Sequence, residues 1–158
     1  SVRQLIRSSL YEVRRIIYDL RPMALDDLGL IPTLRKYIDT ASEYNNVKIE
    51  FKKLGEEKRL DSKYEVALFR LVQESLTNAF KHAEATLIVV KLEITADHVT
   101  ILIKDNGKGF DQTARKDKSF GLIGMRERVE MLDGKIEVKS ALHEGTSIYI
   151  RVPYILDR

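Results

Sequence analysis

The chain predicts an α+β fold: about three helices on a mixed sheet of about five strands, with one further helix ahead of them. Three observations predict it. Short segments near residues 47–51, 86–95, 98–104, 135–140 and 146–152 either alternate apolar with polar residues or are rich in β-branched ones, as strands are. Apolar residues recur at helical steps near 31–44, 62–83 and 121–132, the pattern of helices buried on one side. Glycine, proline, asparagine and aspartate separate these segments and mark the turns.

The first element is a rod. Residues 1–20 carry apolar side chains at Val2, Leu5, Ile6, Leu10, Val13, Ile16, Ile17 and Leu20. Val2, Ile6, Ser9, Val13, Ile16 and Leu20 step by 4, 3, 4, 3 and 4, a heptad seam broken only by the serine. Leu5, Leu10 and Ile17 widen the seam into the stripe of a bundle helix, and Arg3, Arg7 and Arg14 fall on the solvated side. About 20 residues of helix measure about 30 Å, and one helix cannot bury such a stripe by itself. Arg21-Pro22 disfavours helix at Arg21 and ends the element.

Asp26 to Leu30 reads as a turn into a second helix, whose buried side is Ile31, Leu34, Tyr37, Ile38, Ala41 and Tyr44, with Pro32 in its first turn. Val47, Ile49 and Phe51 alternate with lysine and glutamate as a half-buried strand, and Leu54 to Leu60 is a polar loop. Asp61-Ser62 caps a long helix running to about Ala83. Two strands follow, joined by a hairpin turn at Thr95 to His98. Residues 111–119 form a polar loop, and 121–132 a helix with Leu122, Met125, Val129 and Leu132 on one face, ended by Asp133-Gly134. The last two strands meet across His143-Glu144-Gly145.

Composition narrows the function. At 158 residues the chain is one domain, or one domain with an appendage. Its 27 basic and 24 acidic residues give a net charge of +3, and no clustered basic face with aromatics marks it for nucleic acid. Without cysteine there are no disulfides or thiolate metal sites, which fits a cytoplasmic setting. No apolar run of about 18 residues is present to span a membrane. The chain starts inside a helical pattern, so a fragment is expected, from a longer protein that is either soluble or membrane-anchored.

The chemistry lies in three segments. Asp105 follows a strand and enters the glycine turn Asn106-Gly107-Lys108-Gly109-Phe110. A carboxylate there can accept a hydrogen bond from an exocyclic amine such as that of adenine, although an ordinary Asp-Asn-Gly turn has the same sequence. Gly107 and Gly109 let backbone and base approach closely. Gly121-Leu122-Ile123-Gly124-Met125 places glycines just before a helix, whose first N–H groups suit phosphate. Glu74, Asn78 and His82 recur every four residues and share a helix face beside the apolar stripe. An amide oxygen suits Mg²⁺, and a carboxylate one turn away suits the ordering of a metal-bound water. Lys81 and His82 lie where they could meet phosphate. Arg115, Lys116 and Lys118 make the 111–119 loop a candidate lid, with Gly109 and Gly121 only 12 residues apart. The histidines, at 82, 98 and 143, are too scattered for a zinc site. No P-loop and no protein-kinase motif set is present.

Taken together, these segments resemble the C-terminal part of bacterial two-component sensor histidine kinases, in the DegS-type subgroup that also holds nitrate and membrane-fluidity sensors. Gln73 to His82 is similar to the family's asparagine box, Asp105 to Phe110 to its first glycine box, Gly121 to Met125 with Arg126-Glu127-Arg128 to its second, and Gly145-Thr146 to its last. Asp19-Leu20-Arg21-Pro22, Leu25 and Leu28-Gly29-Leu30 are similar to the subgroup's junction. The resemblance implies a Bergerat-type α/β sandwich, shared with gyrase, Hsp90 and MutL, over residues 23–158, behind residues 1–22 as the end of the second helix of a dimerising bundle.

The resemblance further implies ATP as ligand. Asn78 would hold Mg²⁺, Asp105 the adenine amine, Gly107 and Gly109 the base pocket, and Thr146 the adenine side. Gly121, Leu122, Gly124 and Met125 would meet the phosphates, and Glu74 would sit by the metal's waters. The full-length protein would transfer the γ-phosphoryl of ATP to its own histidine and on to an aspartate of a response regulator, acting as a homodimer through its bundle. The acceptor helix is not in this chain, so the piece is expected to bind ATP without autophosphorylating. Half a bundle buries little, so the piece is expected to be a monomer. Two other readings compete. An ATPase or protein-serine kinase of the anti-sigma type is opposed by the heptad rod, and a degenerate regulatory module by the intact Asn78, Asp105 and glycines.

Overall fold

The structure, a computed structural model, describes residues 1–20, 23–113 and 122–154, with all side chains in those ranges except those of residues 15 and 17–20. Helices α1 (Val2–Leu20), α2 (Met23–Leu28) and α3 (Leu30–Asn45) precede strand β1 (Lys48–Gly55). Helix α4 (Ser62–Asn78) runs into a π-helical turn, Ala79–Ala83. Strands β2 (Leu87–Ile94) and β3 (His98–Asp105), helix α5 (Leu122–Glu130), and strands β4 (Lys135–Ala141) and β5 (Gly145–Pro153) complete it.

The strands form one mixed sheet in the order β1-β2-β3-β5-β4. β1 and β2 are parallel, which a helical crossover such as α4 makes possible, and the other pairs are antiparallel. Period-two burial shows which face meets the helices. Ile88, Val90, Leu92 and Ile94 of β2, Val99, Ile101 and Ile103 of β3, and Ile148, Ile150 and Val152 of β5 are all buried. They pack in one cluster with Leu34 and Ile38 of α3, Leu68, Phe69, Val72 and Leu76 of α4, and Met125 and Val129 of α5. Each such aliphatic side chain contributes roughly 2 kcal/mol by leaving water. The expected sandwich of three helices on five strands is therefore present, with α1 outside it.

Three local expectations change. Residues 26–30 were expected to be a turn, but Met23–Leu28 is a short helix that buries Leu25. Gly29, at φ 88°, then breaks the chain before α3. The break is held from α4: buried Glu65 accepts from the Leu30 N–H at 2.8 Å, and Arg59 donates to Glu65 and to the carbonyls of Leu25 and Asp26. Strand β1 takes the start of the expected 54–60 loop, because its partner β2 continues opposite it as far as Ile94. The long helix expected to reach Ala83 is α-helical only to Asn78, after which the π turn ends at Glu84 in the left-handed region. Asp61 does cap α4, accepting from Lys63 N at 3.0 Å.

Candidate functional site

Asp105 continues the inward row of Val99, Ile101 and Ile103, so the strand's own period turns a carboxylate toward the helices. It is only 7% exposed. Its Oδ1 accepts from Gly107 N at 2.8 Å and Thr146 N at 3.3 Å. Oδ2 has no hydrogen-bond partner among the described residues, and the residue lines a cavity of about 370 Å³. Burial pushes the carboxyl's pKa up, and the two backbone N–H groups partly offset that. Asn106 anchors the turn: its Oδ1 accepts from Thr86 N and Leu87 N at 2.9 and 3.0 Å, and its Nδ2 donates to Thr86 Oγ1.

Glycines close the turn. A Cβ on Gly145 would stand 2.1 Å from the Asp105 carbonyl oxygen, and the residue has φ 77°. A Cβ on Gly109, at φ 60°, would stand 2.0 Å from the Ala141 carbonyl oxygen. Gly107 was expected to admit the base, but the space beside it belongs to the π turn: a Cβ there would meet the Ala83 carbonyl oxygen at 2.1 Å. That same carbonyl accepts from Lys108 N at 2.7 Å.

The cavity has a helical wall of Ser75, Asn78, Ala79, His82 and Ala83, and a wall of Asp105, Lys108, Gly109 and Phe110. Leu122, Val138, Thr146 and Ile148 supply the rest. Of the residues singled out from sequence, Asn78, His82, Asp105, Gly109, Leu122 and Thr146 meet here. Glu74 and Lys81 are exposed and do not line the cavity. Met125 is 2% exposed and packs into the core. Gly124 is exposed in the first turn of α5, with nothing within 4 Å of where a Cβ would stand. Gly121 and the basic residues Arg115, Lys116 and Lys118 of the expected lid lie outside the described residues. The sequence reading gave no site role to Ser75, Ala79, Ala83, Val138 or Ile148, and named Lys108 and Phe110 only as parts of the first glycine box. For Ile148 a signal existed, since it shares strand parity with Thr146.

A cavity between α4 and a sheet, with a buried carboxylate at the end of one strand, is an architecture that can be compared with known ones. Residues 63–155 match the family described as histidine kinase-, DNA gyrase B- and HSP90-like ATPase. The chain belongs to that family. It is 54% identical over 152 residues to the signal transduction histidine-protein kinase/phosphatase DegS of Brevibacillus brevis, covering 96% of this chain and 39% of that protein. It is 59% identical over 162 residues to the protein of the same name from Bacillus subtilis (strain 168), covering 99% and 42%. The chain thus spans about two-fifths of the length of these relatives. The blue-light activated histidine kinase of Erythrobacter litoralis EL346 shares the fold, with a TM-score of 0.66 at 19% identity over 92% of this chain and 49% of that one. As a member of the family, the chain carries an ATPase-type nucleotide-binding domain of the histidine kinase, gyrase B and HSP90 kind. No described helix is long and apolar enough to cross a membrane.

Proposed function

We propose that the cavity is the ATP site, and that the full-length protein uses it to phosphorylate its own histidine and then an aspartate of a response regulator. The observation that carries this is Asp105. A buried carboxylate with one oxygen held by two backbone N–H groups and the other turned to a cavity suits a ligand amine. Apolar walls from Phe110, Leu122, Val138 and Ile148 suit a flat base. Thr146 lies beside the base, and His82 and Lys108 line the same cavity. We place phosphate against the first turn of α5, at Leu122 and Gly124, whose N–H groups have no partner within the helix.

Magnesium fits this site as a companion of the nucleotide. Among the described residues no group of three or more His, Cys, Asp or Glu gathers to hold an ion. The Asn78 amide, on the cavity wall, is the type of single oxygen donor that Mg²⁺ accepts while keeping waters and phosphates. Bound Mg²⁺ would neutralise charge on the phosphates. Glu74, one turn before Asn78 and outside the cavity lining, is our candidate for ordering a metal-bound water. In the transfer itself a histidine nitrogen forms a bond to the γ-phosphorus as the bond to the β-phosphate oxygen breaks, releasing ADP. His82 lines the cavity, His98 begins β3 and His143 sits in the β4–β5 turn, so none stands on α1 as an acceptor.

We also propose that residues 1–22 belong to a bundle through which the full-length protein dimerises. The support is the exposed apolar stripe of α1: Val2, Leu5, Ile6, Leu10, Val13 and Ile16 are all more than half exposed. The test of the site is calorimetric titration of ADP and a non-hydrolysable ATP analogue with Mg²⁺ into this chain and its Asp105→Asn variant. Saturable binding by the former and none by the latter is expected. A folded wild-type chain that binds neither ligand overturns the reading in favour of a degenerate regulatory module.

A further inference from the structure

The base end of the cavity is built on a row of three inward residues on adjacent strands, Asp105, Thr146 and Ser140. Lys104 of β3 pairs with Ser147 of β5, so Asp105 and Thr146 are neighbours, and Thr146 pairs directly with Ser140 of β4. Ser140 does not line the cavity, but it binds everything around it. Its Oγ accepts from Phe110 N at 2.9 Å, lies 3.1 Å from the Gly145 carbonyl oxygen, and lies 2.8 Å from Thr146 Oγ1.

A serine hydroxyl has one proton and two lone pairs. The Gly145 carbonyl can only accept and the Phe110 N–H can only donate. Every contact becomes a hydrogen bond under one assignment: Ser140 donates to Gly145, and Thr146 donates to Ser140. The proton of Thr146 is then committed away from the cavity, and what Thr146 offers a ligand is a lone pair. Asp105 Oδ2 beside it is also an acceptor. The base end of the cavity thus presents two acceptors and no hydroxyl donor.

We infer that Ser140 is a specificity-determining positioning residue: by taking the Thr146 proton it makes the site read a 6-amino purine and reject a 6-oxo purine. The inference rests on the nucleotide reading above. A 6-amino group has two N–H donors for the two acceptors. A 6-oxo purine keeps one donor, its N1–H, for Asp105, but sets the lone pairs of its 6-oxygen against those of Thr146, which is the costly kind of mismatch. Without Ser140 the Thr146 hydroxyl turns freely and can donate to a carbonyl.

The probes are ADP and IDP, which differ at the 6-position and in the proton on N1, titrated with Mg²⁺ into the wild-type chain, Ser140→Ala, Thr146→Val, the double variant and Asp105→Asn. Wild type is expected to prefer ADP by at least about tenfold. In Ser140→Ala the ADP:IDP ratio falls by about tenfold, mainly through tighter IDP binding, as one hydrogen bond gained predicts. Thr146→Val lowers the ratio by weakening ADP alone, and adding Ser140→Ala to it changes the ratio no further. Loss of cavity packing would weaken both ligands together, so the ratio separates specificity from structure. If Ser140→Ala does not fold, Thr146→Val still decides, since an acceptor at 146 requires the ratio to drop. Ratios within about twofold of wild type in the folded single variants overturn the role of Ser140, while ADP binding that Asp105→Asn abolishes leaves the nucleotide site standing. Failure of the wild-type chain to bind ADP overturns both.

Discussion

Asp105 ends the inward row of β3, where an aspartate is a poorer choice for stability than the isoleucines before it. Burial raises its pKa, so ionisation at neutral pH works against folding. The sign follows directly. Relative to an ordinary carboxylate, the group favours the folded state while protonated, at low pH, and that advantage is lost as pH rises through the raised value. Asp105→Asn keeps the shape and an oxygen for the Gly107 and Thr146 N–H groups, and removes the charge. It is expected to raise the Tm of the nucleotide-free protein by about 1–3 °C at pH 7. The difference should shrink when the same comparison is made at about pH 4, because a carboxyl with a raised pKa takes up its proton earlier as pH falls. Thermal unfolding by circular dichroism at the two pH values checks this, and a lower Tm for the variant at neutral pH contradicts it. Asp105 was legible from the strand before it and the glycines after it. Ser140 was not, because its importance lies in joining Thr146 across the hairpin to the Phe110 N–H 30 residues away, a long-range contact that no local pattern carries.

Helix α5 shows a glycine that packing does not require. Glycine within a helix costs about 1 kcal/mol relative to alanine. A Cβ at Gly124 meets nothing within 4 Å, whereas one at Gly145 strikes the Asp105 backbone. Gly124→Ala is therefore expected to raise Tm by about 2–4 °C. If phosphate lies against this turn, the same methyl group weakens binding of the ATP analogue by about tenfold. Paired unfolding and titration read both effects, and unchanged affinity removes phosphate from Gly124. The elements themselves were mostly legible, because α3, α4, α5 and the five strands each repeat a burial period long enough to recognise. Helix α2 was not, since six residues show less than two turns of pattern. The spacing of Glu74, Asn78 and His82 was over-read. Residues four apart in an α-helix drift by about 40°, so a face shared by neighbours is not shared along the whole series. The π turn after Asn78 also changes the pitch before His82. Asn78 and His82 reach the cavity, and Glu74 stays outside.

The sandwich is complete without α1. Its core draws on α2 to α5 and all five strands, and none of the described side chains of α1 belongs to it. Helix α1 touches the rest through its polar side instead: Arg7 pairs with Glu43 of α3 at 3.3 Å, and the Tyr11 and Tyr44 rings stack with centroids 3.6 Å apart. The sequence put Arg7 on the solvated side, and both partners of this pair are indeed mostly exposed. Such a pair is worth at most about 1 kcal/mol, so of the two contacts the stacked rings contribute more. The described part of its apolar stripe, Val2, Leu5, Ile6, Val13 and Ile16, stays exposed, while Leu10 lines a groove against α3. Nineteen residues give a rod of about 28 Å, roughly two and a half heptads. Two such rods cannot reach the roughly 1,200 Å² that specific, stable interfaces bury. The 158-residue chain is therefore expected to sediment as an 18.2 kDa monomer, with self-association weaker than about 100 μM. Sedimentation equilibrium over a concentration series measures this. A stable dimer at low micromolar concentration that Ile6→Asp dissolves would show that the stripe alone suffices, and a dimer indifferent to Ile6→Asp would place the contact on the sandwich.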